Sequence, residues 1–202
     1  MYLTNIPPIA QRIFPDATWN SKDKPALKWT FDDGPHPDST PIILEILTRY
    51  DITATFFCLG ENARKYPHLI TDIVAAGHQL GNHGYKHLSG WNTSNADYIS
   101  NVKEALPFLA TNLFRPPYGR ITPSQYKYII QDLDMEVVMW NLMPGDFDQR
   151  IDADVLYKRI IRNMRDDMLI VLHDQPKLVK KLSNTLSRIF EQLSEKQLQR
   201  NF

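Results

Sequence analysis

The chain has 202 residues, enough to bury one substantial core, and its 43% hydrophobic and 23% charged residues are ordinary for a globular domain. Lys+Arg 23 balances Asp+Glu 23, so nothing in the charge points to a nucleic-acid or membrane-surface partner. The single Cys58 excludes an internal disulfide, and no apolar run approaches the roughly 20 residues that span a bilayer.

Residues 1–20 hold no basic stretch followed by an apolar run. That predicts no signal peptide and a cytoplasmic location, with association to an envelope left open. Ala26–Phe31 reads as a short strand that delivers Asp32-Asp33 and is turned by Gly34-Pro35. Pro41 suits the first turn of a helix through Ile43, Leu44, Leu47 and Tyr50. Ile52–Leu59, β-branched and aromatic, is the strongest strand; Cys58 inside it reads as a small buried hydrophobe. Pro67 opens a helix that stops at Gly77, and His78–Leu80 is a short strand leading to His83. Ser94 with Asp97 looks like a capping box before Ile99, Val102 and Leu106, and Pro107 ends or kinks that helix. Asn112–Phe114 is a strand before Arg115. Thr122, Pro123 and Gln125 make a second capping box for a helix through Tyr126, Ile129, Ile130 and Leu133. Met135–Trp140 reads as a strand, Val155–Met164 as a helix, Met168–Leu172 as a strand and Leu178–Leu193 as an amphipathic helix. Alternating β and α without repeat or linker predicts a single α/β domain over 1–202, a parallel sheet with crossover helices, either a barrel or a doubly wound sheet.

The residues following the strands are polar in a consistent way. The first strand gives Asp32 and Asp33, the third His83 and His87, the fourth Arg115, the fifth the loop with Asp146, and the sixth His173-Asp174. In parallel α/β folds the C-terminal strand ends share one rim, and that rim carries the site. Adjacent acids cannot both ionise cheaply without a compensating cation, and beyond a strand's end both side chains can converge. Histidines four apart, as in His83-Gly84-Tyr85-Lys86-His87, lie on one face of a helical turn and can bind one ion. With an acid they form a His₂–carboxylate set that leaves positions for water and substrate. One acid can then ligate while the other serves as a base. Arg115 can fix a carboxylate by a bidentate pair, and His173 can protonate a leaving group. These are the parts of a metal-assisted hydrolase of an amide or ester.

TFDDGP at 30–35, HGYKH at 83–87, RPPYGR at 115–120, WNLMPGDFD at 140–148 and LIVLHD at 169–174 resemble, in order and spacing, the NodB-homology polysaccharide deacetylases, carbohydrate esterase family four. The resemblance covers about Leu27 to Asp174, with TFDDGP and RPPYGR its most specific segments. It implies a distorted (β/α) barrel that removes N-acetyl groups from an N-acetylhexosamine glycan, chitooligosaccharide-like or peptidoglycan-like, with one divalent metal ion, zinc foremost. By the same resemblance Asp32 is the base acting on the attacking water, Asp33, His83 and His87 are the metal ligands, and Arg115 holds Asp32. The Tyr118 backbone N–H supports the oxyanion, His173 protonates the departing amine with Asp146 orienting it, and Trp140 and Leu172 line the acetyl pocket.

The chain departs from the family pattern in several places. The loop after Trp140 reads Asn141-Leu142-Met143-Pro144-Gly145, Phe147 stands where tryptophan is common, and Gln175-Pro176 follows His173-Asp174. The chain ends at Phe202 where a closing strand often follows, which leaves the barrel open there or closed by Leu198–Phe202. Other candidates carry weaker readings: His36 as a sugar contact at about one in three, His68 and His78 as structural, Lys177, Lys180 and Lys181 as a solvated helix face, Trp29 as packing. Trp91 is packing or, if exposed, a platform for a pyranose ring. Two further functions stay open: an esterase of O-acetylated sugars or a hydrolase of another small amide, and a catalytically silent sugar- or metal-binding module. Oligomeric state is not readable.

Overall fold

The computed structural model describes residues 8–25 and 28–200. Helix α1 (Pro8–Ile13) is followed by β1 (Trp29–Asp32), α2 (Thr40–Arg49), β2 (Thr55–Cys58), α3 (Gly60–Lys65), α4 (Pro67–Ala75) and β3 (Gln79–Asn82). Then come α5 (Asn95–Ala105), β4 (Leu113–Phe114), α6 (Pro123–Gln131), β5 (Glu136–Val137), α7 (Ala153–Asn163), β6 (Ile170–His173) and α8 (Pro176–Arg200). All strands pair in parallel in the order β5-β4-β3-β2-β1-β6, so β1 lies between β2 and β6. The sheet curls into a distorted barrel with helices outside. Its edges approach through irregular chain: Leu142 bridges Ile170, and Thr18 bridges Val138.

Period-two alternation divides the core into two layers. Phe31, Phe56, Cys58, Leu80, Ile170 and Leu172 pack with Ile43 and Leu47 of α2, Ile73 of α4, Leu156 of α7 and Leu182 of α8. Their chain neighbours Phe57 and Val171, with Phe114 and Val137, join Tyr98 and Val102 of α5 and Tyr126 and Ile129 of α6. Register puts Asp32 beside both Phe57 and His173, so the two ionisable groups end adjacent strands on the face of Thr30 and Val171.

The predicted alternation holds, with differences at the ends. The first strand begins at Trp29; its predicted start at 26–27 lies outside the described residues. The fifth is only Glu136–Val137, because Val138 turns to pair with Thr18 and sends its carbonyl to Arg115. Two short helices, α1 and α3, had no periodic stripe long enough to announce them. Thr122 and Gln125 form the expected capping box, Ser94 accepts from the Asp97 N–H, and Pro107 falls in a 3-10 turn after α5. Residues 198–200 continue α8 and so form no closing strand among the described residues, and 201–202 lie outside them. Among the described residues no helix is long and apolar enough to cross a membrane.

Candidate active site

Asp32 is the last residue of β1, and Asp33 follows with φ 77°. That left-handed backbone, which Asp tolerates better than most residues, removes the strand alternation that would part the two side chains. Asp32 is buried, and its Oδ1 accepts from Arg115 Nη1 at 2.7 Å. Asp33 uses Oδ2 to accept from Gln175 Nε2 at 2.6 Å, and its backbone carbonyl accepts from Asn62 Nδ2 at 2.9 Å. Its Oδ1 is buried without a hydrogen-bond partner, 3.7 Å from His83 Nε2 and 3.3 Å from His87 Nε2. Burial pushes the Asp33 carboxyl up, but His83, His173, His87 and the Gln175 donor outweigh it and hold it below the usual range.

The two histidines meet by a different route from the expected helical turn. Residues 83–87 are irregular chain, reversed at Gly84 with φ 82°. Asn82 Oδ1 accepts from the Gly84 N–H at 2.7 Å, and Asn101 clasps Lys86 through both its backbone groups, at 2.8 and 2.9 Å. The rings come to rest with centroids 5.0 Å apart. His83 Nδ1 lies 2.8 Å from the Arg115 carbonyl, which can only accept, so Nδ1 carries a proton and Nε2 is the nitrogen turned to Asp33. Burial, with His83 alongside, draws the His87 imidazole down to about 4 and keeps it neutral. One ligand atom from each of Asp33, His83 and His87 lies within 4.8 Å of the others. An orphaned carboxylate oxygen and two imidazole nitrogens form a donor set that fits a divalent ion such as zinc.

Arg115 is fully buried with its guanidinium 4.0 Å from the Phe57 ring centroid. Its contact with Asp32 is a single bond and not the expected bidentate pair. The other donors are spent on Thr30 Oγ1 at 2.7 Å and the Val138 and Met139 carbonyls at 3.2 and 3.0 Å. Across the site, Asp146 is fully buried and accepts from the His173 backbone N–H at 2.7 Å, while its other oxygen lies 2.9 Å from His173 Nδ1. Burial opposes charging of His173, yet Asp146, then Asp33 and Asp32, prevail and raise it to about 9. Asp148 pairs with Arg150 at 2.8 Å, so Asp146 is the loop's inward acid. Phe147 sets its ring edge-on to His173 at 5.2 Å.

Tyr118 has φ 59° and is exposed, with its ring 4.3 Å from that of His87. Trp140 is buried beside Gly119, where a Cβ would lie 2.6 Å from the indole, and its Nε1 has no hydrogen-bond partner among the described residues. Leu172 is a correction. It packs with Phe31 in the other cluster, and Val171, two residues before His173, shares the face of His173 in the cluster that contains Trp140.

The sequence did not single out Gln175, Asn62 or Asp174 for the site. Asp174 is buried, its N–H donates to the Asp32 carbonyl at 2.8 Å, and its carboxyl accepts from Ser39 Oγ and Thr40 Oγ1, each at 2.5 Å. Burial, against those hydroxyls, pushes it up to about 6. The sequence had placed Asp174 on the rim beside His173 and marked Gln175-Pro176 as a departure, without giving either a role. Lys181 corrects the solvated-face expectation by donating to the Asp148 and Ile151 carbonyls at 2.8 and 3.2 Å. Cys58, Trp29 and His78 are buried, and His36 lies 3.7 Å from Asp38, outside the ligand set. An open cavity of about 670 Å³, lined by residues such as Arg12, Thr18, Trp19 and Lys24, contains none of these groups. Lys24 pairs there with Glu136 at the N-terminal end of β5, so it opens away from the catalytic rim.

The polysaccharide deacetylase family profile matches residues 20–138. A peptidoglycan-N-acetylglucosamine deacetylase of Bacillus cereus is 34% identical over 160 residues, 76% of this chain and 58% of that protein. A chitooligosaccharide deacetylase of Azorhizobium caulinodans is 32% identical over 162 residues, 76% of each. The chain thus spans little more than half the length of the first relative. A crystal structure of a peptidoglycan N-acetylglucosamine deacetylase superposes with a TM-score of 0.84 at 29% identity, covering 95% of this chain and 92% of that one.

Proposed function

The chain belongs to the polysaccharide deacetylase family, and from that premise we propose that it is a metal-dependent N-deacetylase of glycans built on N-acetylhexosamine, of the peptidoglycan or chitooligosaccharide kind. The observation that carries this reading is the Asp33–His83–His87 cluster with its unpartnered Asp33 Oδ1, flanked by an Arg115-held carboxylate and an Asp146-held imidazole. Asp33, His83 and His87 would hold the ion. A bound zinc polarises a carbonyl and lowers the pKa of its water to about 7.

Arg115 fixes Asp32 at Oδ1 and leaves Oδ2 to take the proton of the water that attacks the acetamide carbon. Asp146 commits Nδ1 of His173, so the transferable proton sits on Nε2, and the raised pKa keeps it there near neutral pH. His173 gives that proton to the amine nitrogen as the C–N bond breaks, yielding acetate and a free amino sugar. The backbone N–H of Tyr118, set by its left-handed conformation, supports the negative acetyl oxygen. Trp140, with Val171 in place of Leu172, walls the methyl group.

The test is acetate release from acetylated chitooligosaccharides, peptidoglycan fragments and acetylxylan, before and after chelation, with zinc counted by elemental analysis. Turnover of the first two that is lost on chelation and restored by zinc is expected. Turnover of acetylxylan alone makes the chain an esterase; zinc binding without turnover makes it a silent module; undiminished activity in metal-free protein overturns the metal.

A further inference from the structure

Among the described residues only two aromatic side chains are exposed, Trp91 at 64% and Tyr118 at 60%, and they flank the same arginine. The Arg120 guanidinium lies 5.3 Å from the Trp91 ring centroid and 5.7 Å from that of Tyr118. Tyr118 in turn packs edge-on to His87 of the ligand set. The result is a ladder of flat groups running outward from the metal cluster along one rim of the site. We propose that Trp91 and Arg120, with Tyr118, form a second sugar subsite, which stacks a pyranose ring of the same glycan chain next to the ring that carries the reacting acetamide. This inference rests on the deacetylase reading and adds to it the side chains that hold the neighbouring sugar.

The exposed indole is held in place by its surroundings. Water disfavours a large exposed apolar ring, and an unconstrained tryptophan would fold down onto the surface. Here Trp91 Nε1 donates to the Ile121 carbonyl at 3.3 Å. The preceding Gly90 is buried; its N–H donates to the Arg120 carbonyl at 3.0 Å and its carbonyl accepts from buried Gln125 Nε2 at 3.0 Å. The docking is close enough that a Cβ on Gly90 would lie 2.4 Å from Gln125 Oε1 and 2.6 Å from the Arg120 carbonyl oxygen. Backbone and ring are therefore fixed before any ligand arrives, which removes the ordering cost from binding.

The chemistry selects a sugar. The axial C–H groups of a pyranose match an aromatic face, while its hydroxyls and N-acetyl carbonyl need donors at the edge of that face. Arg120 makes no side-chain hydrogen bond or ion pair among the described residues, so its N–H groups are available for this, and the contact needs no charge on the glycan. Continuity through Tyr118 to His87 identifies the occupant as the next residue of the chain already bound at the metal.

The experiment measures kcat/KM for Trp91→Ala, Trp91→Tyr and Arg120→Ala on an N-acetylglucosamine ladder from monomer to hexamer, with zinc content and thermal stability recorded for each. Trp91→Ala should lose about tenfold on the longer substrates, the scale of a stacking anchor, and nothing on the shortest one turned over. Trp91→Tyr should recover most of the loss, and Arg120→Ala should share the length dependence. An equal loss at every length, or none, overturns the subsite. If the unaltered protein releases no acetate from any member, the deacetylase reading fails by itself. Calorimetric binding of the hexamer then decides the subsite: weaker binding by Trp91→Ala supports it, and unchanged or absent binding overturns it.

Discussion

Asp32 and Asp33 are neighbours that both face His83 but have different hydrogen-bond partners. Asp32 is tied to Arg115, whereas Asp33 is tied to Gln175 and turns its other oxygen toward two imidazoles. Asp32→Asn should keep bound zinc while turnover falls by about 10²–10⁴, the range for a lost general base. Asp33→Asn should lose the ion. Zinc content and acetate release, measured for both variants, check the division; Asp32→Asn protein without metal, or fully loaded Asp33→Asn, would reverse it. Gln175 acts on the same group by donating to Oδ2, which leaves Oδ1 as the unpartnered oxygen turned to the histidines. Partners of metal ligands typically matter tenfold to a hundredfold. Gln175→Ala should weaken zinc by about that factor in competition with a calibrated chelator, and an unchanged affinity would deny Gln175 an orienting role.

At the scale of elements, the shape of the 83–87 loop holds the histidines together, and Gly84 is its pivot. A side chain there meets two obstacles: φ 82° and a Cβ only 2.6 Å from Asn101 Nδ2, which clasps the same loop. Gly77 has a similar φ of 80° but nothing within 4 Å, so it isolates the backbone cost. Gly77→Ala should lower stability by roughly 1–2 kcal/mol, the penalty for a left-handed L-residue, and leave zinc affinity unchanged. Gly84→Ala should lower both, read by urea unfolding and chelator competition. If the two variants bind zinc alike, the loop's conformation is not what gathers the ligands.

Across the whole molecule, Asp174 ties the ends of β1 and β6 to the start of α2. Its N–H holds the Asp32 carbonyl, its carboxyl holds Ser39 and Thr40, and a Cβ on Gly34 would lie 2.3 Å from its Oδ2. Its pKa of about 6 lies above the value of about 3.9 expected in the unfolded chain. Between those values the folded state binds the extra proton, so stability falls as pH rises. The contribution is complete below about 3.9 and gone above about 6, with an upper scale of about 3 kcal/mol. Urea unfolding of zinc-free protein between about pH 4 and pH 7 should show the natural chain losing stability relative to Asp174→Asn as pH rises. Parallel pH profiles for the two proteins would clear Asp174 of the effect.

Several features were legible in the sequence because their causes are local. Strand alternation, the Thr122–Gln125 capping box and the placing of Asp32, His83, Arg115, Asp146 and His173 at or beyond strand ends all follow from side-chain period and turn chemistry within a few residues. Since parallel strands put their C-terminal ends on one rim, their order along the chain already implied one site. What lay beyond reach depends on contacts between distant segments. Pairing of Thr18 with Val138 cut β5 short, and Arg115 spent its donors on carbonyls 23 and 24 residues away. The face of Leu172, by contrast, follows from alternation within β6: one residue before His173, it points to the opposite layer. The Gln175 bond to Asp33 spans 142 positions, and the Trp91 platform rests on the Arg120–Ile121 backbone. A linear pattern carries periodicity and propensity. Which distant groups meet is decided only when the folded chain closes on itself.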